Sequence, residues 1–215
     1  MANAETPAQL IRYATKKMGM LSSNVGEAGG FITLGDGPVP DIQFHFAPAY
    51  FINHGFDSPE TDGVTIAPTL VDPKSSGEIR LASADPTAAP VIDPRYFSDE
   101  RDLWLLVEGC KLAREFSRQS PLTDLLSGEY LPGHEVGTDD EWAEFVRGIA
   151  ESLYHPVGTC AMGVNDESVV DPQLRVRGVR GLRVADASIM PSIINANTQA
   201  ISMVIGQRAA GFITA

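Results

Sequence analysis

The chain has 215 residues, of which 43% are hydrophobic and 20% charged, and carries a net charge of −12 at pH 7. That is enough for one large domain or two small ones around a real core. Sixteen basic residues against 28 acidic ones, scattered rather than massed, exclude a nucleic-acid binder that works through a basic stripe. No apolar run approaches the roughly 18 residues that span a bilayer, so no membrane partner is expected. Residues 1–17 lack the charged-then-apolar layout of a signal peptide, which makes a cytoplasmic location the expectation.

Along the chain, residues 1–4 read as a frayed end, and Thr6-Pro7 opens a short helix over 9–17 that stops near Gly19. The glycines at 26, 29 and 30 have neither the preceding strand nor the following helix of a phosphate loop. They read as a turn ahead of 31–34. Residues 41–46 alternate apolar and polar side chains, the period of a half-buried strand. Strands are also expected over 64–71 and 78–82, joined by the turn chemistry of 73–77 into a hairpin-like pair. The proline-rich stretch 85–94 reads as an extended connection.

Two helices follow. Ser98-Asp99-Glu100 supplies a cap and acids for the positive helix end, ahead of Leu103, Leu106, Val107, Leu112 and Phe116 at helical spacing. Thr138 and Glu141 form a capping box before Trp142, Phe145, Val146 and Ile149, and 122–137 between the helices is a loop. Residues 174–177 and 182–184 read as two short strands around a glycine turn. Residues 198–212 are helical, with Thr198 as cap and Ile201, Val204, Ile205, Ala209 and Phe212 on the buried side. Short antiparallel-looking strands mixed with separated helices give an α+β class. Cys110 and Cys160 lack metal-ligand spacing and read as buried thiols, not a bridge.

Chemistry gathers in the last third. His155 can accept a hydroxyl proton near neutral pH, and Pro156 biases its backbone to an extended conformation. His45, His54 and His134 read as a strand residue and two loop residues. No histidine–acid cluster with metal-ligand spacing accompanies them, so no metal is expected. Asn197 lies 42 residues beyond His155 and reads either as a cap or turn former, or as a group that donates to the same substrate oxygen. Asp186, at a strand end, could accept from a ribitol or ribose hydroxyl or simply close a turn. The helix start near Thr198-Gln199 offers free N–H groups and partial positive charge.

Together these blocks resemble the glucose-methanol-choline (GMC) family of flavin-dependent alcohol oxidoreductases. The resemblance rests on His155-Pro156-Val157-Gly158-Thr159-Cys160 with Met162-Gly163, and on Val170-Asp171-Pro172 through Leu182-Arg183-Val184 to Asp186-Ala187-Ser188 and Met190-Pro191. It continues through Asn197-Thr198 and the last helix. Upstream it includes Glu27-Ala28-Gly29-Gly30-Phe31, Pro40 to Phe46, Pro73-Lys74-Ser75 and Val91-Ile92-Asp93-Pro94, so it covers essentially the whole chain in order.

The resemblance implies a substrate-binding domain over 1–155, an antiparallel sheet flanked by helices, and a C-terminal catalytic segment over 156–215. It implies FAD as cofactor, a primary alcohol of choline-like or other type as substrate, His155 as base and Asn197 as its companion. Asp186, Ala187, Thr198 and Gln199 are the implied cofactor contacts; Gln199 and Ile201 depart from the asparagine and proline frequent at those family positions. No Gly-x-Gly-x-x-Gly strand–helix motif occurs in these 215 residues, so an FAD-binding domain is expected as a partner in cis or trans. The alternative is a non-catalytic remnant, or half of a split enzyme, that does not bind FAD alone. If the chain folds by itself, the surface built from Asp186, Ala187 and the helix over 198–212 is expected to be unusually apolar.

Overall fold

The computed structural model describes residues 6–57 and 59–214. The expectation for residues 1–4 lies outside them. Two compact units form, one from residues 1–70 and 103–151, the other from 71–102 and 152–215.

The first unit begins with α1 (Pro7–Lys16), capped by Thr6 and stopped by Lys17 in a left-handed conformation. Strands β1 (Ala28–Ile32), β2 (Ile42–Ala47) and β3 (Thr65–Leu70) then form an antiparallel sheet in the order β1-β2-β3. Gly29 and Gly30 are therefore strand residues, not the turn their composition suggested. The reason is close approach: a Cβ on Gly29 would sit 2.5 Å from the Phe44 carbonyl oxygen, so only glycine lets β1 pair with β2 here.

One face of β2 packs on helix α2 (Glu100–Ser117). Ile42 and Phe44 form a buried cluster with Leu105 and Ala113, and the Phe44 and Phe116 rings meet edge-on at 5.1 Å. Gly109 brings the helix against β3, since a Cβ there would lie 2.9 Å from Cβ of Pro68. Helix α3 (Asp139–Ile149) carries the expected capping box and buries Trp142 and Val146. The guanidinium of Arg114 lies 4.2 Å from the Trp142 ring centroid and donates to the carbonyls of Val136 and Gly133, holding the loop between α2 and α3.

The second unit contains β4 (Glu78–Arg80) and β5 (Val91–Asp93), paired antiparallel with Ile79 opposite Ile92. This corrects two expectations. The strands at 65–70 and 78–80 do not pair with each other, and the stretch 85–94 is not merely a connection. The turn after β3 is instead captured by the buried Asp102 carboxylate, which accepts the backbone N–H groups of Lys74 and Ser75 at 2.7–3.0 Å.

Residues 174–184 form isolated bridges (Val170 with Val176, Arg175 with Arg183) rather than the two expected strands, because only Val176 and Val184 donate across the turn. Helix α4 (Gln199–Thr214) closes the unit, burying Ile205 and Ala209. Val204, expected inside, is 47% exposed; together with Met203 and Ile213 it leaves an apolar surface on this helix. Among the described residues, no helix is long and apolar enough to cross a membrane.

Candidate active site

One apolar cluster seats every candidate block. Val170, Leu174, Ile189, Met190, Ile205 and Ala209 form its buried centre. Packed around that centre are Val157, two residues beyond His155; Ala187, next to Asp186; and Ile194 and Ile201, which flank Asn197. The chemistry-bearing residues are thus displayed from a common base, although they are spread over more than 40 positions of sequence.

Backbone hydrogen bonds align two of the blocks. Cys160 N–H donates to the Ser188 carbonyl at 3.0 Å and Met162 N–H to the Ile189 carbonyl at 2.8 Å. Gly158, at φ 87°, lies where a Cβ would contact the Met190 carbonyl at 3.5 Å, so the chain turns tightly between His155 and this pairing. Tyr154 is also left-handed, at φ 62°, with its N–H held by Ser152 Oγ at 3.0 Å. The bend at Tyr154 directs the chain into His155.

His155 is half-buried, and its ring makes no hydrogen bond or ion pair among the described residues. The Asn197 side chain is exposed and equally uncommitted. Asp186 is exposed and caps the short turn Ala187–Ile189: its Oδ1 accepts Ser188 N–H at 2.8 Å and Ser188 Oγ–H at 2.5 Å. Those two bonds, the hydroxyl first, lower its pKa below the ordinary 3.8 against a smaller opposing effect of burial. Oδ2 makes no bond among the described residues. Asp186 therefore closes a turn and keeps one oxygen open to a ligand hydroxyl.

Ala187 is half-buried, and Gln199 opens α4 exposed. Thr198 is buried, and its carbonyl starts the helix by accepting the N–H and Oγ–H of Ser202. Ser188, which binds the Asp186 carboxylate, escaped the sequence reading as a site residue; a serine two residues after an aspartate at a strand end is the signal that marks it. The open Asp186 oxygen and the exposed helix start at Gln199 fit a hydroxyl-bearing, anionic cofactor.

Small antiparallel sheets with separated helices make an α+β fold, in which the blocks carrying an imidazole, an amide and a carboxylate pack on one apolar cluster. The chain belongs to the GMC oxidoreductase family, whose C-terminal domain matches residues 73–206. It is 42% identical to an alcohol dehydrogenase [acceptor] of Pseudomonas putida over 205 residues, covering 95% of this chain and 37% of that protein. It is 38% identical to choline oxidase of Arthrobacter globiformis over 217 residues, covering 96% of this chain and 40% of the oxidase. The structure of formate oxidase from Aspergillus oryzae, a study of its FAD modification, superposes with a TM-score of 0.84 at 28% identity, covering 96% of this chain and 41% of that one. The chain spans about 40% of the length of the curated relatives it matches.

Proposed function

We propose that this chain forms the substrate-binding and catalytic part of an FAD-dependent oxidoreductase acting on the CH–OH group of a primary alcohol. Residues 1–155 make the substrate side and 156–215 the catalytic, cofactor-contacting segment, with an FAD-binding domain as partner in cis or trans. The observation that carries the reading is the pair of uncommitted polar groups, His155 and Asn197, in blocks that pack on one core. The alcohol dehydrogenase and choline oxidase relatives support the substrate class.

His155 takes the hydroxyl proton of the alcohol. Asn197 donates an amide hydrogen to the same oxygen and stabilises the negative charge that develops there. Asp186 Oδ2 would accept from a cofactor hydroxyl, with Ser188 holding the other oxygen of the carboxylate. Ala187 would contact the cofactor, and the N–H groups at Thr198-Gln199 would favour negative charge near it. The flavin, when bound, supplies the hydride acceptor.

The test is His155→Ala in the flavin-loaded enzyme. Turnover falls by about 10²-fold or more with bound flavin retained; unchanged turnover removes His155 from the base role. A chain that stays colourless after incubation with FAD, and after joining to any nucleotide-binding partner, is a non-catalytic module and overturns the proposal.

A further inference from the structure

The basic residues are less scattered than composition suggests. Arg175, Arg177, Arg180 and Arg183 fall within nine residues, opposed locally only by Asp171, in a chain whose net charge is −12. Together they line a concavity of about 480 Å³ at the turn 175–183, and none of the candidate active-site residues lines it.

The four guanidinium groups divide into two pairs. Arg175 is fixed by Asp171, with Nε donating to Oδ2 at 2.7 Å, and Arg183 donates to the carbonyls of Gln173 and Phe212. These two hold the turn. Arg177 is exposed, and its guanidinium makes one bond among the described residues, to the neutral Gly163 carbonyl at 3.0 Å; the Arg180 side chain is exposed and without a partner among them. Among the described residues, only one of the four positive charges has a carboxylate partner. Gly178 and Gly181, both at φ 76°, have nothing within 4 Å of where a Cβ would stand, so no side chain closes over the turn.

We propose that this turn is a phosphate-binding site, with Arg177 and Arg180 as the ligand-facing pair and Arg175 and Arg183 as positioning residues. Guanidinium groups present planar forks of N–H donors that match the oxygen edges of a phosphate, and a doubly charged tetrahedral anion accepts from two such forks at once. Val179 and Leu182, each about half exposed (51% and 50%), line the same concavity and suit the apolar body of a phosphate ester. The phosphate belongs to a soluble ester or to a lipid headgroup, and the two sources are separable by experiment.

The chain is titrated with sodium pyrophosphate at physiological ionic strength, followed by calorimetry and by the arginine Nε–H resonances. In a second arm it is sedimented with phosphatidylcholine vesicles with and without phosphatidic acid. The site requires saturable binding in at least one arm that weakens tenfold or more in the double variant Arg177→Gln/Arg180→Gln. It also requires that Arg12→Gln/Lys16→Gln, which removes the same charge from α1, leaves that binding unchanged. Pyrophosphate binding identifies a soluble ester and vesicle binding alone a headgroup. No binding in either arm, or equal weakening in both double variants, overturns the site. Arginine-dependent binding of polyglutamate without binding of phosphate overturns it as well.

Discussion

The backbone N–H of Cys160 donates to the carbonyl of Ser188 at 3.0 Å, tying the segment that follows His155 to the one that follows Asp186. Ser188 has a second task, since its own N–H and Oγ–H both bind the Asp186 carboxylate. One serine therefore joins the placement of the candidate base segment to the ionisation of the candidate cofactor contact.

Replacing that hydroxyl gives a pH signature. Asp186 titrates below 3.8 in the folded chain, so the stabilisation it contributes is complete above 3.8 and is lost as pH falls through the folded value. In Ser188→Ala the largest cause of the depression is gone. The Asp186 pKa rises toward 3.8, read by carbon-detected NMR titration of its carboxyl, while the backbone N–H bond keeps some of the depression. An unchanged titration would show that the hydroxyl does not hold the charge.

Adjacent glycines in β1 provide a matched pair. Gly29→Ala forces a methyl to 2.5 Å from the Phe44 carbonyl, whereas Gly30→Ala meets nothing within 4 Å. The first variant is destabilised by about 2 kcal/mol and the second by well under about 1 kcal/mol. Urea unfolding of the two proteins checks the difference, and equal midpoints would mean β1 does not press on β2 as described.

Asp102 is 1% exposed and accepts two backbone N–H groups from the turn after β3. Asp102→Ala leaves both donors without their partner and costs about 2–3 kcal/mol. Hydrogen exchange at Lys74 and Ser75 accelerates in this variant while the amides of β2 remain protected. Uniform loss of protection would point to global unfolding instead.

Burial pushes the Cys110 thiol up to about 12, with the Arg114 charge offsetting only part of the effect. Its side chain is half-buried, yet at pH 8 its thiolate fraction is on the order of one in ten thousand, so it reacts with Ellman's reagent far more slowly in the folded chain than after unfolding. Mass mapping of the native reaction finds little label on Cys110. Rapid labelling there would contradict its raised pKa.

Sequence by itself determined much of this protein. Local physics settles the Thr6 cap, the Thr138–Glu141 capping box and the helix beginning near 199, because each depends on neighbours within a few residues; the strand expected over 41–46 forms at 42–47, but with Gln43 buried beside Ile42 and Phe44 instead of alternating outward. The order of motifs from Glu27 to the last helix was enough to place the chain in its family.

Pairing was not legible in the same way. The turn at 73–77 looks able to fold one strand onto the next, yet the Asp102 carboxylate, 27 and 28 residues away, takes its N–H groups, and β4 pairs with β5. The glycines at 29 and 30 look like a turn until the Phe44 carbonyl appears opposite them. Tertiary structure alone decided that Val157, Ala187, Ile194 and Ile201 pack on one core, bringing their polar neighbours onto a shared base. The physical reason is common to all three cases: a hydrogen bond or an apolar contact depends on distance in space, and motif spacing along the chain does not fix that distance.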